Sequence, residues 1–515
     1  MKTSLTGRTS LSVAALLVAS LVTPACASSK PAPPAAAPLA SGSWPYPNGD
    51  IANTRDAAGS TISSANVSRL AQAWTFKLTG PAAAGVTGTG SLAATPIVAN
   101  GVVYFQDLDA NVYAVALATG KLRWEYVLNT AERSGPGPDG VAVAGGAVYG
   151  DSPTSAFALD ASTGRRIWVS NHLLSKGQGT FGIQPQVASG RVYLASGYGN
   201  APGGGVLLAL SASTGQVLWK LNTVLVPDLG AQLVGAGGAW ETPLVSSDGS
   251  VTFGTGNPYQ PADSAIADPS ALLYTDSDVN LNAATGKLRW YYQGVPDDFK
   301  DFDMQASPIS ASVSGVSVVL GAGKMGYVYE MNAKTGKLLW KTPVGEHNGH
   351  DNDSLRALEH KSTLKAPYTI LPGSLGGVLT NMALAGNSIY VVTCDLPFTS
   401  TNLDQFLGTP SGPATGEVEA LNLATGKVEW DTKVHSLPLG AATVSNDLVL
   451  TTLFNGVLIA LNRNIGRIVF RRHLPTSANS PIAIAGNTVL VPAGGPVTST
   501  AGGNPQLVAY TAPVK

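Results

Sequence analysis

The phrase that decides the fold is Ala116-Leu-Ala-Thr-Gly-Lys-Leu-Arg-Trp124. Variants of it recur at residues 160–168, 211–219, 282–290, 332–340 and 422–430, and residues 462–470 form a degenerate copy that ends in Phe470. A repeat spacing of about 40–50 residues is typical of propellers and other modular arrays. The sequence therefore predicts one large array of similar units.

Each copy of the phrase reads as a β-hairpin. An apolar strand leads into a polar turn closed by Thr-Gly, and a second strand ends in an aromatic residue, usually Trp. Glycine tolerates the positive φ that such a turn requires, and the alternation of side chains along a strand keeps the Trp on one face. We expect that face to meet the next unit of the array.

Counting these strands predicts eight blades. Seven aromatic positions mark seven outer strands, and Trp74 in residues 71–77 marks an eighth that has no turn phrase before it. Residues 506–510 are the opposite case, an inner strand with no Trp strand after it. The prediction is thus an all-β, eight-bladed β-propeller closed by pairing of its N-terminal and C-terminal strands. The long interval between Gly336 and Gly426 leaves a ninth blade open as an alternative to one blade with an insertion.

Composition agrees with this fold class and argues against some partners. Of the 515 residues only 12% are charged, whereas 59 are Gly and 34 are Pro, which suits short strands joined by tight turns. The net charge of −1, with dispersed Lys and Arg, argues against a nucleic-acid partner. One of the two cysteines, Cys26, lies in the N-terminal leader, so the mature chain is expected to keep Cys394 alone and no internal disulfide.

The N-terminus reads as an export signal. Lys2 and Arg8 precede an apolar run at residues 11–22, which is too short to span a bilayer, and small residues surround Cys26. Two processing routes remain open, cleavage after Ala27 or lipid attachment at Cys26 in a degraded lipobox. The predicted organisation is a signal peptide at 1–27, a Pro/Ala/Ser-rich tether at 28–43 and the propeller at 44–515, with a periplasmic or cell-envelope location.

The repeat resembles that of the quinoprotein alcohol dehydrogenases, which are eight-bladed propellers that hold pyrroloquinoline quinone on the ring axis. Residues 48–55, Asn-Gly-Asp-Ile-Ala-Asn-Thr-Arg, are similar to the family's entry segment, and residues 291–303 are similar to its catalytic stretch. The resemblance runs from about Trp44 to the C-terminus. It implies pyrroloquinoline quinone and a calcium or lanthanide ion as cofactors.

The same resemblance assigns a base and a set of metal ligands. It implies that Asp301 is the general base that takes the alcohol proton, and that Asp303 is the extra carboxylate of lanthanide-accepting forms. Asn257, which ends the stretch Phe-Gly-Thr-Gly-Asn, matches a metal ligand. Asn200 falls where the family has a metal-binding Glu. The implied metal ligands are therefore Asn200, Asn257, Asp301 and Asp303.

Two further residues match the family's quinone contacts. Trp240 corresponds to the platform on which the quinone rings stack, and Lys324 to the cation that hydrogen-bonds the quinone oxygens. The chemistry requires these types, because a flat tricyclic acid needs an aromatic surface, a metal ion to polarise its carbonyl and a nearby cation.

The sequence also departs from the family pattern. Asn200 in place of Glu removes a negative charge from the metal site, and Ala93 stands where the family has another carboxylate. Lys300 replaces a Trp and Asp297 replaces a His in the catalytic stretch. The family's disulfide between adjacent cysteines is missing. These departures predict that affinity for the quinone or the metal is either reduced or abolished.

Each candidate has a structural alternative. Asp301 is alternatively an exposed loop acid beside Lys300, Asn257 the cap of a Gly-rich turn, Lys324 a surface lysine, and Trp240 an ordinary core residue. The loop at residues 346–353 concentrates His and Asp residues, but an irregular His-x-x-His loop is a weak metal signature, so no metal is predicted there.

The functional prediction is a quinone-dependent dehydrogenase that oxidises an alcohol, either small or polymeric. Because the sequence contains no haem attachment motif, electrons are expected to pass to a separate acceptor such as a cytochrome c. The alternative is a propeller without catalytic activity that acts as a binding or assembly scaffold at the cell envelope. A structure discriminates between them, since the enzyme requires the candidate side chains to converge.

Overall fold

The computed structural model describes the following residues: 42–78, 91–128, 137–198, 203–224, 237–258, 272–296, 298–353, 365–402, 408–495 and 504–513. Within them the regular structure is β, apart from a single-turn 3₁₀ helix at Val67–Arg69. In that part of the chain no helix has the length and apolar character needed to cross a membrane. The all-β prediction is confirmed, whereas the predicted signal peptide, Cys26 and most of the tether lie outside the described residues.

The strands are named β1 to β36 in chain order. Their bounds are β1 Ala71–Lys77, β2 Ile97–Ala99, β3 Val102–Gln106, β4 Val112–Ala116, β5 Leu122–Tyr126, β6 Ala142–Ala144, β7 Ala147–Ser152, β8 Ser155–Asp160, β9 Arg166–Ser170, β10 Thr180–Phe181, β11 Gln186–Ala188, β12 Arg191–Tyr198, β13 Val206–Ser211, β14 Val217–Asn222, β15 Leu244–Val245, β16 Ser250–Gly254, β17 Ser277–Asn282, β18 Leu288–Gln293, β19 Ile309–Val313, β20 Val316–Gly323, β21 Tyr327–Asn332, β22 Leu338–Pro343, β23 Tyr368–Ile370, β24 Ala383–Ala385, β25 Ser388–Asp395, β26 Phe398–Ser400, β27 Thr409–Pro410, β28 Thr415–Asn422, β29 Val428–Val434, β30 Thr443–Ser445, β31 Leu448–Leu453, β32 Val457–Asn462, β33 Ile468–His473, β34 Ala483–Ala485, β35 Thr488–Ala493 and β36 Gln506–Thr511.

Most of these strands form antiparallel sheets of four or five strands. In the described ranges there are seven four-stranded sheets and one five-stranded sheet of this kind: β2-β3-β4-β5, β6-β7-β8-β9, β10 and β11 with β12-β13-β14, β15-β16-β17-β18, β19-β20-β21-β22, β24-β25-β28-β29, β30-β31-β32-β33 and β34-β35-β36-β1. In the last sheet β1 pairs with β36, from Ala71 opposite Thr511 to Lys77 opposite Gln506. The first and last strands of the described chain therefore share one sheet, and the fold is propeller-like.

The long interval between Gly336 and Gly426 contains one four-stranded sheet with an insertion. The second and third strands of that sheet, β25 and β28, pair directly over Ser388–Asp395 and Thr415–Asn422. The chain between them forms β26 and β27, which pair with β23 as a separate three-stranded sheet. The sequence alone did not indicate these short inserted strands.

The repeated Trp residues join neighbouring sheets. The indole N–H of Trp219 in β14 donates to the carbonyl of Ala283 in the next sheet, at 3.1 Å, and its ring lies on Gly286 of the Thr-Gly turn. Trp74, Trp124, Trp168, Trp290, Trp340 and Trp430 each make the same pair of contacts with the sheet that follows. The repeat therefore encodes both the hairpin and the interface between hairpins.

The turn glycine is required at this interface for two reasons. Gly286 has φ +68°, and a Cβ added there would lie 2.6 Å from Cδ2 of Trp219. We expect Gly286→Ala to lower the free energy of unfolding by about 2–4 kcal/mol, because left-handed strain and overpacking add. Urea unfolding followed by Trp fluorescence measures it.

Gly249→Ala in the same sheet is the matched control. Gly249 has φ +78° but no atom within 4 Å of an added Cβ, so only the backbone strain applies. Equal losses of stability in the two variants would contradict the proposed contact with Trp219.

The segment at residues 44–57 crosses several sheets. Trp44 forms a bridge with Val98 beside β2, the carbonyl of Ala52 accepts from Ser310 in β19, and that of Thr54 accepts from Leu384 in β24. Arg55 lies within this segment and is completely buried. One short stretch of chain thus contacts β2, β19 and β24, each of which is an edge strand of a separate sheet.

Candidate active site

The candidate residues come from two neighbouring sheets. Trp240 lies in the connection before β15, and Asn257 follows the end of β16. Asp301 and Asp303 lie in the connection between β18 and β19, and Lys324 follows the end of β20. The strand ends therefore place all five at one edge of the sheets β15–β18 and β19–β22.

The loop that carries the two aspartates is shaped by a buried acid. Asp298 accepts hydrogen bonds from the backbone N–H groups of Lys300, at 2.9 Å, and Phe302, at 2.7 Å. Burial raises the pKa of Asp298 to about 6, against the effect of these two hydrogen bonds. Asp301 sits within this turn at φ +66°, a left-handed conformation that non-glycine residues rarely adopt. The turn directs Asp301 and Asp303 inward, where both are buried.

Lys300 anchors the loop to a distant segment. Its side chain is only 1% exposed, its ammonium donates to the carbonyl of His350 at 2.9 Å, and it forms an ion pair with Asp353. His350 also contacts Asp353, and His347 contacts Asp351. These histidines are thus paired one by one with carboxylates, and among the described residues none of His347, His350, Asp351 and Asp353 belongs to a group of three or more candidate metal ligands.

Lys324 bridges the two candidate carboxylates. Its Nζ lies 2.8 Å from Oδ2 of Asp301 and 2.5 Å from Oδ2 of Asp303, and its backbone N–H donates to the carbonyl of Asp303. Burial raises the pKa of Asp301 well above its usual range, with Lys324 opposing the shift and Asp303 adding to it. A buried carboxylate with a raised pKa is the kind of group that takes up a proton during catalysis.

Asn257 and Trp240 are held against Asp303 through Gly256. The backbone N–H of Asn257 donates to Oδ1 of Asp303 at 2.7 Å. A Cβ at Gly256 would lie 2.6 Å from that same oxygen and 2.9 Å from Cη2 of Trp240. Glycine is therefore needed for the indole ring and the carboxylate to approach the same backbone.

Several buried polar atoms at this site lack a hydrogen-bond partner within the described part of the chain. They are both side-chain atoms of Asn257, Oδ1 of Asp301 and both oxygens of Asp276. Burial, and the charges of Asp298, Asp303 and Asp301, raise the pKa of Asp276 well above its usual range. Unsatisfied buried oxygens of this kind are expected where a cation or a polar ligand completes the site.

These residues fit a hard cation and a planar ligand. Oδ1 of Asn257 and Oδ1 of Asp301 are the donor types that calcium and lanthanide ions prefer, and neither of these two oxygens takes part in a hydrogen bond in the described residues. The Trp240 ring is partly exposed beside them. Asn200, however, lies outside the described residues, as does Asp297, so its predicted role remains a prediction.

The structural alternatives for three candidates are wrong. Asp301 and Lys300 are buried, not part of a solvated turn. Lys324 is 6% exposed and ion-paired, not a surface lysine. The Asn257 side chain makes no hydrogen bond within the described chain and so does not cap a turn. Trp240 is partly exposed and lies against the candidate site, unlike the buried Trp residues of the repeat.

Sequence reasoning missed two charged groups near this site. Asp276 directly precedes β17 and begins the alternation Asp-Ser-Asp, whose second acid lies within that strand. Glu241 follows Trp240 directly and hydrogen-bonds Asn381 at 3.0 Å. Burial raises the pKa of Glu241 to about 7, and Arg55 opposes the shift. In both cases an acidic residue among apolar neighbours in the sequence could have indicated a buried charge.

Two family profiles match the chain. The profile described as "Glucose/ethanol/alcohol dehydrogenase, beta-propeller domain" matches residues 44–141 and 198–350, which include Trp240, Asn257, Asp301 and Lys324. The profile described as "Outer membrane protein assembly factor BamB" matches residues 132–239 and 414–512. The candidate site therefore falls mainly in the dehydrogenase match.

Characterised relatives agree with the first profile. A lupanine 17-hydroxylase [cytochrome c] of Pseudomonas sp. is 26% identical over 89% of this chain and 73% of its own length. A quinohemoprotein alcohol dehydrogenase of Comamonas testosteroni is 28% identical over 60% of this chain. That match spans 48% of the relative, so the chain covers about half of the Comamonas enzyme.

Comparison with solved structures also indicates similarity to dehydrogenases. A solved structure of a europium-containing methanol dehydrogenase superposes with a TM-score of 0.76 over 91% of this chain and 98% of that one, at 19% identity. The fold is therefore of the β-propeller class found in quinone-dependent dehydrogenases. The profile, the relatives and the superposed structure therefore all make this chain similar to quinoprotein alcohol dehydrogenases.

Proposed function

We propose that this chain binds pyrroloquinoline quinone and a calcium or lanthanide ion and oxidises an alcohol. The observation that carries the proposal is the convergence of Trp240, Asn257, Asp301, Asp303 and Lys324 at one edge of two sheets, with unpaired buried oxygens among them. The family relatives support the reaction class, alcohol oxidation. We also propose that the eight sheets are eight blades of a ring closed by β1 and β36, which would place the site near its axis.

In this proposal the metal is held by Asn257, Asp301 and Asp303, together with Asn200 where the family has Glu. Trp240 supports the quinone rings and Lys324 donates to the quinone oxygens. When bound, the quinone would accept a hydride from the alcohol carbon while the metal polarises its carbonyl. Asp301 would take the hydroxyl proton, so the alcohol leaves as a carbonyl compound.

Lys324 has a second effect on the site. Its ammonium neutralises part of the charge of Asp301 and Asp303, both of which are buried. A metal that binds the free Oδ1 of Asp301 would share that carboxylate with Lys324. We expect the loss of the family Glu at position 200 to lower metal affinity for the same reason, since fewer negative charges remain for the ion.

The cellular location, the electron acceptor and the substrate are proposed from the sequence. The leader at residues 1–27 supports export to the periplasm or cell envelope, with Cys26 as the lipid-attachment point in one of the two processing routes. A separate electron acceptor, such as a cytochrome c, would reoxidise the cofactor. The substrate is proposed as a small or polymeric alcohol.

Titration of purified protein with pyrroloquinoline quinone tests the proposal. Calcium or a light lanthanide is present, and binding is followed by Trp fluorescence and by dye-linked oxidation of a panel of alcohols. Saturable binding and turnover are expected. Absence of binding with either metal would overturn the proposal and leave the scaffold function.

Trp240 supplies a specific prediction for that titration. Trp240→Ala is expected to weaken quinone binding at least tenfold, because the stacked aromatic contact is lost. Trp240→Phe, which keeps an aromatic face, is the matched control and should retain most of the affinity. Unchanged affinity in Trp240→Ala would show that the quinone does not stack at this residue.

A further inference from the structure

A second group of acids, which shares no residue with the candidate active site, lies on the sheet β24-β25-β28-β29. One ligand oxygen each from Glu346, Asp395 and Glu417 lies within 4.8 Å of the others, and the same holds for Glu417, Glu419 and Asp431. Glu417 is common to both trios. We call these five residues the acidic face.

Strand register explains how the acidic face is assembled. Glu417 in β28 lies opposite Thr393 in β25 and Lys433 in β29, and Glu419 lies opposite Asp431. Because side chains alternate along a strand, residues two apart project from the same side of the sheet. Asp395, two residues after Thr393, therefore joins the same face.

The neighbouring sheet supplies the fifth acid and two backbone donors. The segment that follows β22 passes over the acidic face, where the N–H of Gly345 donates to Oε2 of Glu419 at 3.1 Å. The N–H of Glu346 donates to Oδ1 of Asp395 at 2.9 Å. The acidic face thus lies where two successive sheets meet, and Glu417, Glu419 and Asp395 are buried there.

Thr393 gives an independent indication of a ligand. Its side chain is completely buried, and its Oγ1 has no hydrogen-bond partner within the described part of the chain. A Cβ at Gly345 would lie 3.1 Å from this oxygen and 2.9 Å from Oδ1 of Asp395. A buried hydroxyl and a carboxylate oxygen therefore border the same space, which the glycine leaves open.

The charge on the acidic face is incompletely balanced. Lys433 forms ion pairs with Glu346 and, at 3.0 Å, with Glu417, but its side chain is 62% exposed. Five carboxylates less one ammonium leave an excess of four negative charges when all are ionised. Burial, and then the charges of Glu417 and Asp431, raise the pKa of Glu419 to about 8. Burial, and then Glu417, raise the pKa of Asp431 to about 6.

We propose that the acidic face binds a calcium ion that links the sheet β19–β22 to the sheet β24-β25-β28-β29. Two oxygens that each lie about 2.4 Å from one calcium ion are at most about 4.8 Å apart, and the oxygens of both trios lie within that limit. Calcium takes six to eight oxygens in flexible geometry, so carboxylates and a threonine hydroxyl suit it. This inference does not rest on the proposed function.

Equilibrium dialysis of the full chain against calcium tests the proposal. The wild type is compared with Asp303→Asn, which weakens the candidate active-site metal, and with Glu419→Gln, which removes a charge from the acidic face. One equivalent of calcium should remain in Asp303→Asn, and the affinity for that equivalent should fall at least tenfold when Glu419→Gln is added to Asp303→Asn. Lys433→Gln should raise that affinity several-fold, because a competing cation is removed. Glu429→Gln, an exposed acid in β29 outside the acidic face, should change nothing.

Thermal unfolding separates a binding defect from a folding defect. Without calcium, Glu419→Gln is expected to melt no lower than the wild type, since removing one of several crowded carboxylates relieves repulsion. In the Asp303→Asn background, calcium should raise the Tm of the parent and of the variant with added Glu429→Gln, but not that of the variant with added Glu419→Gln. The proposal is overturned if no calcium binds to Asp303→Asn at millimolar concentration, or if adding Glu419→Gln to Asp303→Asn leaves the calcium affinity unchanged.

Discussion

Asp301→Asn is expected to lower kcat for alcohol oxidation by about 10³-fold while quinone affinity changes by less than about fivefold. A positioned general base contributes roughly 10²–10⁴ in rate, and the amide has nearly the shape of the carboxylate but cannot take the hydroxyl proton. Its remaining oxygen still accepts from Lys324, so the ion pair becomes a hydrogen bond without rearrangement. Steady-state rates with an artificial acceptor, alongside the fluorescence titration, separate the two effects.

Asp303→Asn is the matched comparison for this prediction. Asp303 lies two residues along the same loop and contacts the same Lys324, but the proposal gives it a metal-binding role and no proton transfer. We expect Asp303→Asn to weaken metal binding and to recover much of its rate at high metal concentration, whereas Asp301→Asn should not recover. Near wild-type turnover in Asp301→Asn would remove this residue as the base.

The fold could be predicted from the repeat because each copy of the repeat specifies two structural contacts. The Thr-Gly turn fixes the hairpin, and the glycine at its end also receives the Trp ring of the previous sheet, as Gly286 receives Trp219. Strands of two or three residues, such as β15 and β27, carry too few side chains to show an alternating pattern. They form because neighbouring longer strands offer unpaired backbone groups, which local sequence does not reveal.

The candidate site residues were predicted mainly from the resemblance to quinoprotein alcohol dehydrogenases, and only to a small extent from residue patterns in this sequence. Asp301 in isolation looks like an exposed acid beside Lys300, and both are buried because Lys300 pairs with Asp353, which is 53 residues further along the chain. Nothing near Asp301 in the sequence indicates that partner. Lys324 is a similar case, since its two carboxylates precede it by more than twenty residues.

The acidic face was missed because its sequence suggests solvent exposure. The alternation Glu417-Val-Glu419 in β28 is typical of a strand with one apolar and one hydrated side. The segment after β22 covers that polar side and buries both acids. Such coverage depends on how two sheets pack, and that information lies outside the strand itself.

Arg55→Ala is expected to cause the largest loss of stability of any variant considered, about 3–5 kcal/mol in the free energy of unfolding. The guanidinium is completely buried and donates to the carbonyls of Ala442 and Ile482 at 2.8 and 2.7 Å. It also donates to the side chains of three other residues, which are Asn48, Thr95 and Thr443. Asn48 belongs to the segment that crosses the sheets, and the other partners lie at or just before the first residues of β2, β30 and β34, each in a separate sheet.

The expected loss of stability in Arg55→Ala is large because the substitution leaves buried groups without their partner. Burial lowers the pKa of Arg55 to about 9, and the charge of Glu241 opposes that shift, so removing Arg55 leaves Glu241 without its cation. Buried carbonyls that lose their donors add the penalty of unsatisfied groups. Arg55→Lys, which keeps the charge but not the forked geometry, should fall between the wild type and Arg55→Ala.

Urea unfolding followed by Trp fluorescence measures the series, with Arg166→Ala as the control. Arg166 lies in β9 with an exposed side chain, so its removal should change the free energy of unfolding by less than about 0.5 kcal/mol. A loss below about 1 kcal/mol in Arg55→Ala would mean that the sheets are held by their Trp contacts alone. A loss of the expected size would instead show that the segment at residues 44–57 stabilises the packing of the sheets as much as a repeat does, although it contains no copy of the repeat.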